Sequence, residues 1–234
     1  MGGDGTVHQA VNAIAPYPTR PCLGIIPTGT VNNFARALGI SPDSEKAIAQ
    51  MSFEQKRKID VGKMNDTYFV STVAAGSIPQ SVQQVDAAAK TKFGPFAYLF
   101  EGAKALNDDS APRFELTLDD KRLTVQFSMI LVAVTHSVAG IETFFPSATP
   151  DDGKLHFMGL RETSALKKLS LVPEIFKADK ENSEHLVIVS FENGHLTAPI
   201  DESLMCTIDG ESGLSFPIDL SVLPRFLCVY SPAG

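Results

Sequence analysis

The pattern of hydrophobic and polar positions changes near residue 56. Before that point, helical and continuous apolar segments alternate. Residues 7–14, 32–38 and 44–51 are predicted to be helices, and the continuous apolar run at 22–26 is predicted to be a strand buried on both faces of a parallel sheet. Such alternation is typical of an α/β unit.

After residue 56 the apolar positions recur at every second residue, which predicts β-strands. We expect one hairpin to turn at 65–66 and another at 119–121. Further strands are predicted at 154–160, 185–191, 196–200, 204–208, 218–223 and 226–230. Helices are predicted at 76–90, 96–106 and 164–177. Many short strands with closely spaced turns favour a β-sandwich, so we expect an α/β domain over 1–56 and a β-rich domain over 57–234.

Composition narrows the classes of function. The formal net charge of −7 argues against a nucleic-acid-binding surface, which needs clustered Lys and Arg. No apolar run approaches the ~20 residues of a membrane span. The three cysteines lack CxxC spacing, and we expect reduced, buried thiols in a cytoplasmic protein rather than a disulfide framework or a zinc site.

A glycine-rich loop, MGGDGT, opens the chain ahead of the first predicted helix. Glycines let a phosphate approach the backbone closely, and the N-terminal amides of a helix attract anions. Asp4 can hold Mg²⁺ or a water that binds Mg²⁺, and Thr6 is expected to cap the helix. Taken alone, these residues would also fit a flexible N-terminus.

A second turn, within IIPTGTVNNFAR, leads from the predicted strand into the next helix. Thr28, Gly29 and Thr30 are expected to form another anion-binding turn, with Asn32 capping the helix. An ordinary capped turn would explain this segment on its own. Because both turns follow strands of one α/β unit, we expect them to share a ligand site.

Together the segments GGDGTVHQAVNAI and GIIPTGTVNNFARALGI resemble the diacylglycerol kinase catalytic domain family, which includes bacterial lipid kinases and sphingosine kinases. NAD kinases share the first motif but lack a close counterpart of the second. The resemblance implies a Rossmann-like nucleotide-binding domain followed by a larger antiparallel β-sandwich domain. Family members carry further strands ahead of the glycine loop, so we expect the first domain here to be a truncated remnant.

The resemblance implies ATP-dependent phosphorylation of the hydroxyl of a lipid alcohol such as diacylglycerol, with Mg²⁺. Asp209 or Glu211, in an Asp-Gly-Glu motif, would act as the base on the acceptor hydroxyl. The residues expected to border ATP come from both turns: Gly2, Gly3, Asp4, Gly5, Thr6, Val7, His8, Gln9, Thr28, Gly29, Thr30 and Asn33.

Metal ligands are also implied by the resemblance. Asp4 and Asp60 would organise the Mg²⁺ of the reaction, with its bound water. A structural Mg²⁺ would be held by Asp152 and by the carbonyl oxygens of Thr149 and Lys154. An Asp-Asp-Gly hairpin turn without an ion explains residues 149–154 equally well.

Two departures from the family pattern would weaken catalysis. Asn33 stands where the family often has Asp, and an amide is a poorer metal partner than a carboxylate. His8 and Gln9 follow the glycine loop where the family often has Glu.

The expected partners follow from the resemblance. We expect a cytoplasmic protein that makes transient peripheral contact with the membrane carrying its lipid substrate, and no nucleic acid. One alternative is a non-catalytic module that binds a lipid or a protein partner because its nucleotide domain cannot close around ATP. An exposed sheet edge would then favour a homodimer. A second alternative is an NAD kinase-like enzyme.

Overall fold

The computed structural model describes residues 1–76, 111–163, 183–198, 206–212 and 215–232, together with Leu171 and Leu204. The helices predicted at 76–90, 96–106 and 164–177 fall almost entirely on the other residues and lie outside this description.

Three helices occupy the N-terminal part of the chain, as the sequence pattern predicts: α1 (Asp4–Ile14), α2 (Asn33–Ala37) and α3 (Ser44–Gln50). Helix α3 is capped by Asp43, whose carboxylate accepts a hydrogen bond from the Lys46 N–H at 3.0 Å. Helix α1 begins earlier than predicted, directly after Gly3. No helix within the described residues has both the length and the apolar character needed to cross a membrane.

The apolar segment after α1 lies between two parallel neighbours. Pro27 forms a parallel bridge with Gly2, and Leu23 forms one with Val229 near the end of the chain. Ile25 is buried between these bridges and packs in the core that also holds Val11 and Phe34. The predicted strand buried on both faces is therefore wrong: the segment pairs in parallel only at two isolated bridges, Gly24 is exposed, and Leu23 and Ile26 are only partly buried.

The β-rich part contributes eleven strands within the described residues. They are β1 (Met51–Met64), β2 (Thr67–Phe69), β3 (Thr72–Gly76), β4 (Arg113–Leu118), β5 (Lys121–Ala133), β6 (Leu155–Arg161), β7 (Leu186–Phe191), β8 (Asn193–Thr197), β9 (Cys206–Ile208), β10 (Glu211–Ser212) and β11 (Ile218–Pro232). Both predicted hairpins are present, at Asn65 and at Asp119, and each of these residues has a positive φ. The two strands predicted at 218–223 and 226–230 form the single strand β11.

The sheet runs in the order β10-β9-β3-β5-β4-β8-β11-β1-β2, and β6 pairs with β5 and β7. Strand β5 belongs to both halves, because residues 121–126 pair with β4 while 127–133 pair with β6. Side chains from both halves meet in one core, where Phe127 contacts Phe114 and Phe157 with ring centroids 6.2 and 5.7 Å apart. The sheet thus folds over itself as a sandwich, as predicted.

Strands β1 and β11 connect the sandwich to the helical part. Strand β1 runs through residues 56 and 57, where the domain boundary was predicted, and pairs antiparallel with β11 along most of its length. The far end of β11 also pairs with Leu23. Strand β11 therefore pairs both with strands of the sandwich and with the segment that contains Leu23.

The expectation of three free thiols is wrong for two of them. Cys22 and Cys228 form a disulfide, with Cα atoms 4.5 Å apart. They precede the residues of the parallel bridge between Leu23 and Val229, so the backbone pairing brings them side by side. Cys206 is a free, buried cysteine, and burial raises the pKa of its thiol to about 12.

The Cys22–Cys228 disulfide predicts how many thiols react with a thiol reagent. Protein purified without reductant and unfolded in denaturant should expose only the thiol of Cys206 to a thiol reagent, and reduction should raise the count to three. The folded protein should react very slowly, because burial keeps Cys206 protonated and inaccessible. Three reactive thiols in unfolded, unreduced protein would contradict the pairing.

Candidate functional site

The N-terminus of α1 has open amide groups. Its first intrahelical bond runs from the Val7 N–H to the Gly3 carbonyl, at 3.1 Å, and Gly3 has no side chain with which to cap the helix. The N–H groups of Asp4, Gly5 and Thr6 therefore lack a partner within the helix. The predicted Thr6 cap is wrong, because the helix begins early enough to place Thr6 inside its first turn.

The two glycine-containing turns lie against each other. The Gly2 N–H donates to the Ile26 carbonyl and the Thr28 N–H donates to the Gly2 carbonyl, both at 3.1 Å. A Cβ atom added to Gly29 would lie 2.6 Å from the Cα of Gly3, so the two backbones touch where any side chain would separate them. Thr28, Gly29 and Thr30 are exposed beside the start of α1.

The Asp4 carboxylate occupies the second predicted anion-binding position. Its two oxygens each accept a backbone hydrogen bond at 3.1 Å, one from Asn33 and one from Phe34, at the N-terminus of α2. The predicted Asn32 cap is wrong, because Asn32 adopts a left-handed conformation and its side chain bonds both the N–H and the carbonyl of Gly29. An anionic ligand would therefore meet open amides at α1 and a carboxylate at α2.

Two other residues of the predicted ATP site have structural contacts. The Asn33 side-chain oxygen accepts a hydrogen bond from the Gly140 N–H at 2.8 Å, which ties α2 to the loop after β5. The Val7 side chain is buried in the core beneath α1, so only its backbone faces the turn. Gln9 is exposed on the first helix.

Asp209 is a buried carboxylate surrounded by four hydrogen-bond donors. Backbone N–H groups donate from Val70 at 3.0 Å, from Ser71 at 2.8 Å and from Thr72 at 2.9 Å. The fourth donor is His8 Nδ1, 3.0 Å from Asp209 Oδ2. These bonds explain why β2 and β3 are separate strands, since the amides of Val70 and Ser71 between them turn toward Asp209.

Glu211 lies two residues further along and faces the first turn of α1. Asp209 and Gly210 both have positive φ, which forms the tight turn between β9 and β10. The Glu211 side chain is exposed, and a Cβ atom added to Gly5 would lie 2.8 Å from Glu211 Oε1. A carboxylate is stabilised at this position because a helix N-terminus carries partial positive charge.

His8 joins α1 to the Asp209 turn. The hydrogen bond with Asp209 raises the pKa of His8, and nearby acidic charge adds to the rise, whereas burial opposes it. Asn12 fixes the helix beside it, bonding the His8 carbonyl at 2.9 Å and the Tyr68 carbonyl at 2.8 Å. No motif or spacing in the sequence indicates this pair, because His8 and Asp209 are 201 positions apart.

The remaining predicted metal ligands lie at a different turn, away from the hydrogen bonds of Asp4. Asp60 accepts backbone hydrogen bonds from Gly153 at 2.6 Å and Arg225 at 2.7 Å, and burial raises its pKa. Asp152 accepts hydrogen bonds from the N–H groups of Thr149 and Lys154. Among the residues that the structure describes, no three His, Cys, Asp or Glu side chains are grouped as a metal site.

Comparison with known proteins gives matches along almost the whole chain. Residues 1–64 match the model of the diacylglycerol kinase catalytic domain, and residues 71–231 match that of the YegS C-terminal NAD kinase beta sandwich-like domain. A diacylglycerol kinase of Bacillus subtilis (strain 168) is 31% identical over 99% of this chain and 76% of its own length. A diacylglycerol kinase of Staphylococcus aureus (strain JH9) is 32% identical over 99% of this chain and 73% of its own length.

A solved structure has the same fold. The crystal structure of a diacylglycerol kinase from Bacillus anthracis str. Sterne superimposes with a TM-score of 0.78 at 25% sequence identity. The superposition covers 98% of this chain and 75% of that chain. The likeness thus extends over both the helical part and the sandwich.

The raised pKa of His8 predicts a pH-dependent contribution to stability. Protonated His8 binds Asp209 more strongly than neutral His8 does. The loss of unfolding free energy caused by His8→Asn should therefore be fully present below about pH 6.5, the ordinary histidine pKa. It should shrink as the pH rises through the raised pKa of His8 in the folded protein. Urea unfolding of both proteins between about pH 5.5 and 8.5 measures this difference.

The matched control is His195→Asn, because His195 pairs with Asp219 at 2.6 Å on the exposed surface. His195→Asn should lower the free energy of unfolding only slightly at any pH in this range. A His8→Asn destabilisation that stays constant across the range would contradict the proposed charge pairing with Asp209.

Proposed function

We propose a function from one premise: the chain belongs to the diacylglycerol kinase catalytic domain family, whose members are lipid kinases. In this proposal it transfers the terminal phosphate of ATP to the hydroxyl of a lipid alcohol such as diacylglycerol. The observation that carries the proposal is the Glu211 carboxylate beside the open N-terminus of α1.

The chemistry of phosphoryl transfer supports this assignment. Transfer requires a positioned phosphate, compensation of its negative charge and a group that orients or deprotonates the nucleophile. The free amides of Asp4, Gly5 and Thr6 and the helix dipole supply a phosphate site at the start of α1. Glu211 Oε1 lies at that same helix turn, where a lipid hydroxyl next to the phosphate could give up its proton to the carboxylate.

Within the Asp-Gly-Glu motif, we assign the base to Glu211 and a positioning role to Asp209. Asp209 has four donors around its two oxygens and no solvent-exposed side-chain surface. A proton on this carboxylate would displace one of its four hydrogen-bond donors. Glu211 is exposed and can accept a proton without breaking a backbone contact.

Asp4 fits the Mg²⁺ that would arrive with ATP. Each of its oxygens accepts one backbone hydrogen bond and keeps a lone pair for a water bound to the ion. Bound Mg²⁺ would offset charge on the ATP phosphates. We do not extend this role to Asp60, which is 1% exposed and holds two backbone segments together.

The proposed setting is the cytoplasmic surface of a membrane, where ATP and a lipid alcohol are both available. Contact with the bilayer would be transient and peripheral. The test is transfer of γ-labelled phosphate from ATP with Mg²⁺ to diacylglycerol, a long-chain base, a polyprenol and phosphatidylglycerol in mixed micelles. We expect label in one of these lipids.

Two results of this assay would each favour a different function. Binding of ATP or lipid without transfer to any acceptor would favour a non-catalytic binding module. Transfer of label to NAD in the same assay, with no labelled lipid, would favour an NAD kinase-like enzyme.

The assignment of the base predicts a loss of rate without a loss of stability. Glu211→Gln should lower kcat by about 10²–10⁴-fold, because the amide cannot take the proton, while Tm stays nearly unchanged. The control is Glu115→Gln on an exposed position of β4, which should retain full rate. Undiminished turnover in Glu211→Gln would remove Glu211 as the base.

The positioning role predicts a different result for Asp209→Asn. The amide would turn an NH₂ group toward N–H donors, so the Tm should fall by roughly 3–12 °C, as expected for losing hydrogen bonds to a charged group. Thermal unfolding followed by circular dichroism measures this change. An Asp209→Asn protein with the wild-type Tm but no turnover would instead make Asp209 the base.

A further inference from the structure

The Cys22–Cys228 disulfide joins the first part of the chain to its last strand. The two cysteines are 206 positions apart, so the bond closes a loop that includes nearly the whole chain. Cys22 begins the apolar segment that leads into the exposed turn at Thr28. Any change at this bond therefore acts on the segment that carries one of the two glycine-containing turns.

Contacts on both sides of the disulfide also hold the two cysteines together. On one side, the Leu23 N–H donates to the Cys228 carbonyl and the Tyr230 N–H donates to the Leu23 carbonyl, both at 2.9 Å. On the other side, Arg20 Nε donates to the Phe226 carbonyl at 3.2 Å, and its guanidinium lies 3.8 Å from the centre of the Phe226 ring. Because none of these contacts needs the sulfur–sulfur bond, reduction would leave the two thiols positioned to pair again.

The paired cysteines differ from the third cysteine in their access to solvent. Cys22 and Cys228 are both partly exposed, whereas Cys206 is fully buried. Burial raises the pKa of the Cys206 thiol to about 12, so this thiol stays protonated and unreactive in the folded protein. A reaction with a soluble thiol or disulfide would therefore be confined to one pair.

The segment that Cys22 begins is lightly paired. It forms two isolated parallel bridges, Leu23 with Val229 and Pro27 with Gly2, instead of a continuous ladder. A segment held by few backbone hydrogen bonds opens locally more readily than a strand within a sheet. A covalent bond at one end should therefore change how often this segment opens.

We propose that Cys22 and Cys228 form a reversible redox site that controls how firmly residues 22–28 are held. In the reduced state, the thiolate of one cysteine attacks a small-molecule disulfide such as glutathione disulfide and releases one glutathione thiolate. The other cysteine attacks the resulting mixed disulfide, which forms the Cys22–Cys228 bond and releases the second glutathione. The pair gives up two electrons and two protons, and excess glutathione reverses both steps.

The biological setting of this redox site rests on the proposed function. The proposed kinase works in the cytoplasm, where disulfides are rare and are usually transient, catalytic or redox-sensing. In that setting the bond would form and break with the redox state of the thiol pool. The turn at Thr28 packs against Gly2, beside the helix start where we propose that phosphate binds, so oxidation would stabilise one side of the phosphate site.

The first test compares the thermal unfolding of oxidised protein with that of protein reduced by excess dithiothreitol. The reduced protein should stay folded, as judged by circular dichroism, and its Tm should be lower by roughly 4–16 °C, because a cross-link across a long loop restricts the unfolded chain. Cys22→Ser is the matched control, and its Tm should not respond to dithiothreitol. Equal Tm values for oxidised and reduced wild type, or loss of the fold on reduction, would overturn the proposal.

The second test measures reversibility. Folded protein is equilibrated with mixtures of reduced and oxidised glutathione, alkylated and weighed by mass spectrometry. We expect interconversion between a form with no alkylated cysteine and a form with two, since Cys206 is buried. Reduced protein that fails to re-form the bond, or that stops at a mixed disulfide with glutathione, would contradict a reversible pair.

The closing experiment tests the link to the turn at Thr28 without nucleotide, by amide hydrogen exchange of the oxidised and the reduced protein. Reduction should speed exchange by at least about tenfold at Leu23, Gly2 and Thr28, whose amides hold the two ends of the segment. The control is the Asp119 amide, which bonds the Asn193 carbonyl in the sandwich and should change by less than about twofold.

The result of this experiment is separate from the outcome of the kinase assay. Unchanged exchange at Leu23, Gly2 and Thr28 would overturn the redox proposal, whatever the protein does with ATP. Faster exchange on reduction, together with no phosphate transfer in either redox state, would support the redox site and remove the proposed kinase activity.

Discussion

The architecture of the site depends on one buried carboxylate. Asp209 accepts hydrogen bonds from three consecutive backbone N–H groups, those of residues 70–72 between β2 and the start of β3. It also binds the His8 imidazole, which comes from α1. A buried charge is tolerated only when its hydrogen-bonding capacity is filled, so these segments must converge for the chain to fold. The convergence fixes the β9–β10 turn and thereby directs Glu211 to the first turn of α1. The His8 bond also joins the sandwich to helix α1.

The placement of carboxylates decides where an external anion can bind. The Asp4 carboxylate accepts hydrogen bonds from two amides of α2, and the Asp60 carboxylate accepts one from the turn at 149–154. Glu211 lies near the first turn of α1, and no hydrogen bond to the amides of that turn is found within the part of the chain that the structure describes. The protein thus fills the other anion-binding positions with its own side chains, and the start of α1 is where we propose that a phosphate binds.

The sequence predicted those features that have a local cause. The three N-terminal helices, the two hairpins and both glycine turns follow from periodicity or turn chemistry, and each is present. The missed features join distant residues. The His8–Asp209 pair, the Asp4 cap on α2 and the Cys22–Cys228 pair have no periodic or spacing signal, because tertiary packing alone brings their partners together. Side-chain capping failed at Asn32 because Asp4, from another segment, already supplied the acceptors.

We propose that phosphate binds at α1 and not at α2. Backbone amide chemical shifts, recorded by NMR during titration with ATP and Mg²⁺, distinguish the two positions. We expect large shifts and slowed hydrogen exchange at the amides of Asp4, Gly5 and Thr6, with the amides of Asn33 and Phe34 little affected because Asp4 already binds them. Large changes at Asn33 and Phe34, with none at the start of α1, would show that phosphate does not bind where we propose.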